Sequence, residues 1–262
     1  MKPPNLPNPP NLRSLSLCLL TSAAVLATAG CINAPGKPGP EPEVARPEQV
    51  LDFAALYAQN CAACHGEKGK NGAAISLANP VYLAIAGVTN IQRVTAAGVP
   101  GTAMPPFGKA AGGMLTDQQI AILANGMDQN WGRSGSVAQS KAPAGQTRPA
   151  YASNAPGNPA EGQKAFASYC AHCHGTDGTG APASNGIVTG SLVDPAYLAL
   201  ISDQGLRSSI IAGQTEQGPH DWMAYASVPP TRLISDQEIT DIVAWLASHR
   251  IATPGQPYRQ HP

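Results

Sequence analysis

One five-residue pattern occurs twice in this chain, as Cys61-Ala62-Ala63-Cys64-His65 and as Cys170-Ala171-His172-Cys173-His174. On a single helical turn, residues three apart lie on one face. The two thiols of each pattern can therefore reach the two vinyl groups of one porphyrin as thioethers, with the adjacent histidine turned toward its iron. Other uses of paired cysteines fit less well. A thioredoxin-like C-x-x-C is single and sits in a βαβ unit, and a zinc site needs its second pair at short spacing. Ordinary disulfides would not explain a histidine after each pair. The pattern predicts two covalently bound haem c groups, held by Cys61, Cys64, Cys170 and Cys173, with His65 and His174 as the proximal iron ligands.

The duplication extends beyond the motif. The segment Leu77-Ala78-Asn79-Pro80-Val81-Tyr82-Leu83-Ala84 returns as Leu192-Val193-Asp194-Pro195-Ala196-Tyr197-Leu198-Ala199, and Leu115-Thr116-Asp117-Gln118-Gln119-Ile120 returns as Ile234-Ser235-Asp236-Gln237-Glu238-Ile239. The offset between copies grows along the chain, which places insertions in loops and predicts two tandem domains, at 48–131 and 159–251. A Gly/Ser/Ala/Pro stretch over 132–158 reads as a flexible linker, 31–47 as a Pro-rich tether and 252–262 as a tail. Domains this small bury a marginal core on their own. Composition sharpens the point, because aromatics are 5% and charged residues 12%, with 27 Gly and 26 Pro. A largely apolar porphyrin in each half supplies the missing interior. Zero net charge excludes nucleic acid as the default partner.

Helical signals dominate both copies, so an all-α fold is expected. Asn158, Pro159 and Glu161 read as cap, first-turn proline and third-position acid of a helix running into Cys170. Val50, Phe53, Ala54 and Tyr57 form the matching face in the first copy. Thr116 with Gln119, and Ser235 with Glu238, are capping boxes. They open helices burying Ile120, Leu123, Ala124 and Met127, and Ile239, Ile242, Val243 and Leu246. Gly98 and Gly213 close intermediate helices.

Residues 1–30 read as an export segment: Lys2 and Arg13 precede an apolar run from Leu15 to Ala29, too short for a span of about 20 residues. Thr28-Ala29-Gly30-Cys31 resembles a bacterial lipobox. That resemblance implies cleavage before Cys31, loss of Cys18, a lipid on the Cys31 sulfur, and a protein anchored at the membrane on the periplasmic side. A soluble periplasmic protein is the alternative.

The remaining axial position of each iron decides between carrier and catalyst. Candidate methionines are Met104, Met114, Met127 and Met223. At the offset aligning the capping boxes, Met104 maps onto Met223, whereas Met114 and Met127 map onto Leu233 and Leu246. Met127 belongs to a core face. Met104 and Met223 stand in Pro/Gly-rich loops, where ligation is the better account of a methionine. His220 is a rival ligand, and His249 and His261 read as surface residues.

With the Met104-Pro105-Pro106-Phe107-Gly108 loop and the closing Leu-Thr-Asp-Gln-Gln helix added, the chain resembles a class I c-type cytochrome duplicated into a di-haem protein. The resemblance implies two small cytochrome c domains, each wrapped around one covalent haem, with axial pairs His65/Met104 and His174/Met223. It is similar in character to cytochrome subunits of alcohol dehydrogenases, thiosulfate-oxidising systems and haem-copper oxidases. The first copy departs from the family at three places. Phe53 stands where the family has the glycine matched by Gly162. Ala73 stands where Pro182 is expected to offer its carbonyl to the proximal histidine. Gly126 stands where the last helix has the aromatic matched by Trp245.

The implied function is single-electron transfer between extracytoplasmic redox partners, or within a membrane complex, of a bacterial respiratory or photosynthetic chain. A di-haem peroxidase, a thiosulfate dehydrogenase and a gas-binding sensor are the alternatives. Residues 159–251 carry a net charge of −5 and residues 48–131 a net charge of −1, so a basic partner docking on the second half is a further expectation.

Overall fold

The computed structural model describes residues 44–132, 147–181, 189–213, 221–223 and 232–251. The expected export segment, Cys31, Pro182, His220, His261 and residues 252–262 lie outside them. Among the described residues the secondary structure is helical, with one isolated bridge between Gly108 and Leu115.

In the first half α1 (Phe53–Asn60) is capped by Asp52, whose carboxylate accepts the Ala55 N–H at 2.8 Å. It runs into Cys61, and α2 (Ala62–His65) completes the motif. The buried face is Leu56 and Tyr57, with Phe53 half-buried and Ala54 exposed. This corrects the sequence-based face: the helix starts after Asp52, so Val50 packs on the core from outside it and Leu56 replaces Ala54. Helix α3 (Pro80–Ala97) starts at its cap Asn79 and closes on Gly98. It is interrupted at Gly87, where φ is +67°, a left-handed conformation that glycine adopts without strain. Helix α4 (Asp117–Met127) leads into a single π turn over Asp128–Gly132.

The second half repeats the plan. Asn158 caps α5 (Pro159–Tyr169), its side-chain oxygen accepting the Ala160 and Glu161 N–H groups. Next come α6 (Ala171–His174), α7 (Pro195–Leu200) and α8 (Asp203–Ala212), which closes on Gly213. The break between α7 and α8 corresponds to the Gly87 interruption of α3. Here Ser202 caps the new helix by accepting the Gly205 N–H. Helix α9 (Asp236–Ala247) ends the fold.

Both expected capping boxes are present. Thr116 Oγ1 accepts the Gln119 N–H at 3.2 Å while Gln119 Oε1 accepts the Thr116 N–H at 3.0 Å. Ser235 and Glu238 exchange the same bonds. The predicted faces of α4 and α9 are buried throughout. Replacing Thr116 by alanine leaves the N–H of Gln119 without its cap. The expected result is a loss of about 1 kcal/mol, read as a lower denaturant midpoint with an unchanged slope.

In each half the first and last long helices cross, and a glycine permits their approach. In the second half it is Gly162 on α5: a Cβ there would lie 2.0 Å from the Asp241 carbonyl oxygen of α9. In the first half it is Gly126 on α4, where a Cβ would lie 2.2 Å from the Phe53 ring. Phe53 in place of glycine and Gly126 in place of an aromatic are therefore one exchange: the bulk has moved to the other helix. The missing tryptophan is also replaced. Trp245 packs on Phe166, ring centroids 4.4 Å apart. In the first half Trp131, delivered by the π turn, packs edge-on against Phe53 and Tyr57 at 5.5 and 5.0 Å. Trp131 lies beneath the loop glycine Gly69, as Trp245 lies beneath Gly178.

The end of the expected linker is pinned to the second half. The Arg207 guanidinium, itself buried, donates to the Ala150 carbonyl and to Asp236, and the Asn158 N–H donates to Asp241. Residues 133–146 lie outside the described set. No described helix is long and apolar enough to cross a membrane.

Candidate functional site

Each motif forms one tight helical turn. The His65 and Cys64 N–H groups both donate to Cys61 O, at 3.0 and 3.2 Å, and His174 and Cys173 do the same to Cys170 O at 3.0 and 3.1 Å. Cys61 and Cys170 are half-buried, Cys64 and Cys173 exposed, and all four are free thiols. Burial, with the neighbouring cysteine adding to it, pushes the Cys61 thiol up to about 11 and Cys170 up to about 12. These sulfurs are thus neutral at physiological pH. Among the described residues no group of three or more His, Cys, Asp and Glu side chains is placed to hold a metal ion. The two motifs therefore do not combine into a four-thiolate centre.

His65 is 7% exposed, and burial lowers its pKa against the opposing pull of a backbone carbonyl. Its Nδ1 lies 2.8 Å from Ile75 O. A carbonyl only accepts, so Nδ1 carries the proton and Nε2 keeps its lone pair. A neutral imidazole fixed in this tautomer is the form that ligates iron. The acceptor is Ile75 rather than Ala73, because the Ala74 N–H donates to Cys64 O, which ties the chain back one residue before the carbonyl that faces the ring. Burial also lowers the His174 pKa. Its Nδ1 is buried with no partner among the described residues, and Pro182, whose carbonyl is expected there, lies outside them. The unpaired thiols and the neutral ring of His65 fit a covalently attached porphyrin.

The Met104 loop is tightly fastened to the end of α3. The Val99 N–H donates to Met104 O at 3.0 Å, and the Phe107 and Gly108 N–H groups donate to Thr95 and Ala96 O. A Cβ on Gly98 would meet the Pro105 and Pro106 backbone below 3 Å, so the helix end and the methionine loop share one close contact. Met104 is half-buried. In the second half the Trp222 N–H donates to Ile211 O at 2.9 Å, the carbonyl equivalent to Ala96 O, each two residues before its capping glycine. Met223 thus follows its anchor by one residue, whereas Met104 precedes its own by four. Sequence offset alone did not show this difference in register. Met223 is half-buried against the core, with its N–H donating to Asp221 Oδ1. Met114 is 77% exposed and Met127 is 2% exposed, a surface residue and a core residue.

One sequence reading changes. His249 is not simply exposed: it is half-buried, its ring edge-on to Trp245 at 5.0 Å. The acidic residues of the second half divide between ion pairs and roles within the fold. Asp203, Asp236 and Glu238 pair with Arg250, Arg207 and Arg232. Asp194 caps α7, and Asp241 is buried holding the Asn158 N–H. With Glu161–Lys164 these pairs use all four basic residues of 159–251, so the net charge of −5 stands, with the buried Asp241 withdrawn from the docking surface.

Comparison with known families gives one match in each half. Residues 159–250 match the family model described as cytochrome c. Residues 48–125 match that described as cytochrome c oxidase, cbb3-type, subunit III. No curated protein matches the chain.

Proposed function

We propose, on the premise that this chain is a tandem di-haem cytochrome c carrying two covalently bound haem c groups, that it passes single electrons between redox partners outside the cytoplasm. When bound, each haem supplies a one-electron ferric/ferrous couple. The reading rests above all on His65: a buried neutral imidazole, its Nδ1–H held by Ile75 O, beside two unpaired thiols on one turn. Cys61 and Cys64 in one half, and Cys170 and Cys173 in the other, are the attachment residues. His65 and His174 are the proximal ligands.

Met104 and Met223 would be the second ligands to the two irons in this reading. A soft thioether opposite histidine favours the ferrous state and raises the potential. A methionine held at each iron would leave no site open for substrate, which favours electron transfer over peroxidase or sensor chemistry. The oxidase-subunit likeness of residues 48–125 supports a membrane oxidase or a comparable respiratory complex as partner. The basic segment, apolar run and Thr28-Ala29-Gly30-Cys31 support export and a lipid anchor on Cys31.

A second reading, ligand binding at the second haem, is favoured by the shifted register of Met223. The absorption spectrum of the oxidised protein separates the two. Met104→Ala and Met223→Ala should each remove about half of the methionine-to-iron charge-transfer band and open one haem to carbon monoxide when reduced. An unchanged band in Met223→Ala, with rapid carbon monoxide binding to the native protein, would establish the second reading instead.

A further inference from the structure

The cap of α3 does more than capping requires. An N-cap needs one acceptor, and the equivalent residue in the second half, Asp194, meets that need from an exposed position by accepting the Tyr197 N–H. Asn79 is 1% exposed. Its Oδ1 accepts the Val81 and Tyr82 N–H groups at 2.9 and 3.1 Å. Its Nδ2 donates to Ala212 O at 2.9 Å and Gly213 O at 3.1 Å, at the C-terminal end of α8 in the other half. Both donors and both acceptor positions of the amide are used. The positive end of α3 meets the negative end of α8 at this point. A second tie runs beside it: Tyr82 is hydrogen-bonded to the Tyr151 side chain, and the Tyr151 carbonyl accepts from Gln204 of α8 at 2.6 Å. Both halves lie within one compact unit, Arg46–Pro262.

The bridge also joins the two axial-ligand segments. Ile75, whose carbonyl orients His65, lies four residues before Asn79. Ala212 follows Ile211, whose carbonyl holds Trp222 immediately before Met223.

We propose that Asn79 is a positioning residue that latches the two cytochrome halves in one arrangement, and that electron exchange between the two haems takes place in that latched state. This rests on the electron-transfer reading above. In the exchange one ferrous iron becomes ferric and one ferric iron becomes ferrous, with no bond made or broken. Separating the halves would leave the Asn79 donors and the α8 carbonyls to water.

Asn79→Asp tests the latch, because it keeps the cap on α3 while turning the donors into acceptors facing two carbonyls. Asn79→Ser, which caps but cannot reach across, is the neutral companion. The holoprotein is half-reduced by a light pulse, and the approach to equilibrium between the haems is followed at several solvent viscosities. Wild type should relax in one phase independent of viscosity. Asn79→Asp should relax roughly tenfold more slowly and with viscosity dependence, in proportion to the lost latched population. Its absorption spectrum should match wild type and its radius of gyration by X-ray scattering should be larger. A wild-type rate in both variants overturns the proposal, as does an unchanged radius. Absence of one-electron exchange in the wild type itself would overturn the electron-transfer reading, and the scattering measurement would still decide the latch.

Discussion

Gly162→Ala should destabilise the second half by about 3 kcal/mol, while the same change at Gly126 costs less. The difference lies in what the new methyl group meets. At Gly162 the added Cβ would stand 2.0 Å from the Asp241 carbonyl oxygen and 2.9 Å from Trp245 Cβ. A backbone oxygen in mid-helix has nowhere to move, so α5 and α9 must separate. That loosens the Phe166–Trp245 contact, and overpacking of this kind costs 1–3 kcal/mol or more. At Gly126 the added Cβ would meet the Phe53 ring, a side chain that can be shortened. Phe53→Ala combined with Gly126→Ala should therefore cost less than the sum of the two single changes, a non-additivity expected of residues in contact. Denaturant unfolding followed at each haem would read the halves separately. Equal losses at the two glycines, or strictly additive losses in the double variant, would show that the exchange between helices is not what sets the packing.

The second large effect concerns the cofactor. Cys170→Ser with Cys173→Ser removes both attachment sulfurs of the second half and leaves His174 in place. The covalent haem content should fall from two per chain to one, measured by haem staining after denaturing electrophoresis and by the pyridine haemochrome. Cys61→Ser with Cys64→Ser should give the same halving from the other side. The structural consequence follows from size, since a domain of this length has little core beyond what the porphyrin covers. The half that loses its haem should become the site of rapid proteolysis while the other stays resistant. Full haem content in either double variant would remove the covalent assignment.

Much of this protein was legible before folding because its informative features are local. Two thiols and a histidine on one turn declare their chemistry at three- and four-residue spacing. Capping boxes at Thr116 and Ser235 and closing glycines at 98 and 213 act on their own helices, and the structure has them as expected. The face of α1 was misjudged because its start depends on Asp52, a cap that hydrophobic periodicity does not register.

What the sequence by itself determined, then, was the duplicated all-α plan and the two cysteine–histidine motifs proposed to hold haem, since helical periodicity and motif spacing are properties of neighbouring residues. Only the tertiary structure decided that Ile75 rather than Ala73 orients His65. The same holds for Trp131 and Gly126 restoring in the first half a crossing that Gly162 and Trp245 make in the second, and for Asn79 reaching α8 across 133 positions of chain. Each of these is a contact between residues whose separation along the chain carries no period. Close approach in space is what selects a carbonyl, a glycine or an amide at such points, and no one-dimensional pattern records it.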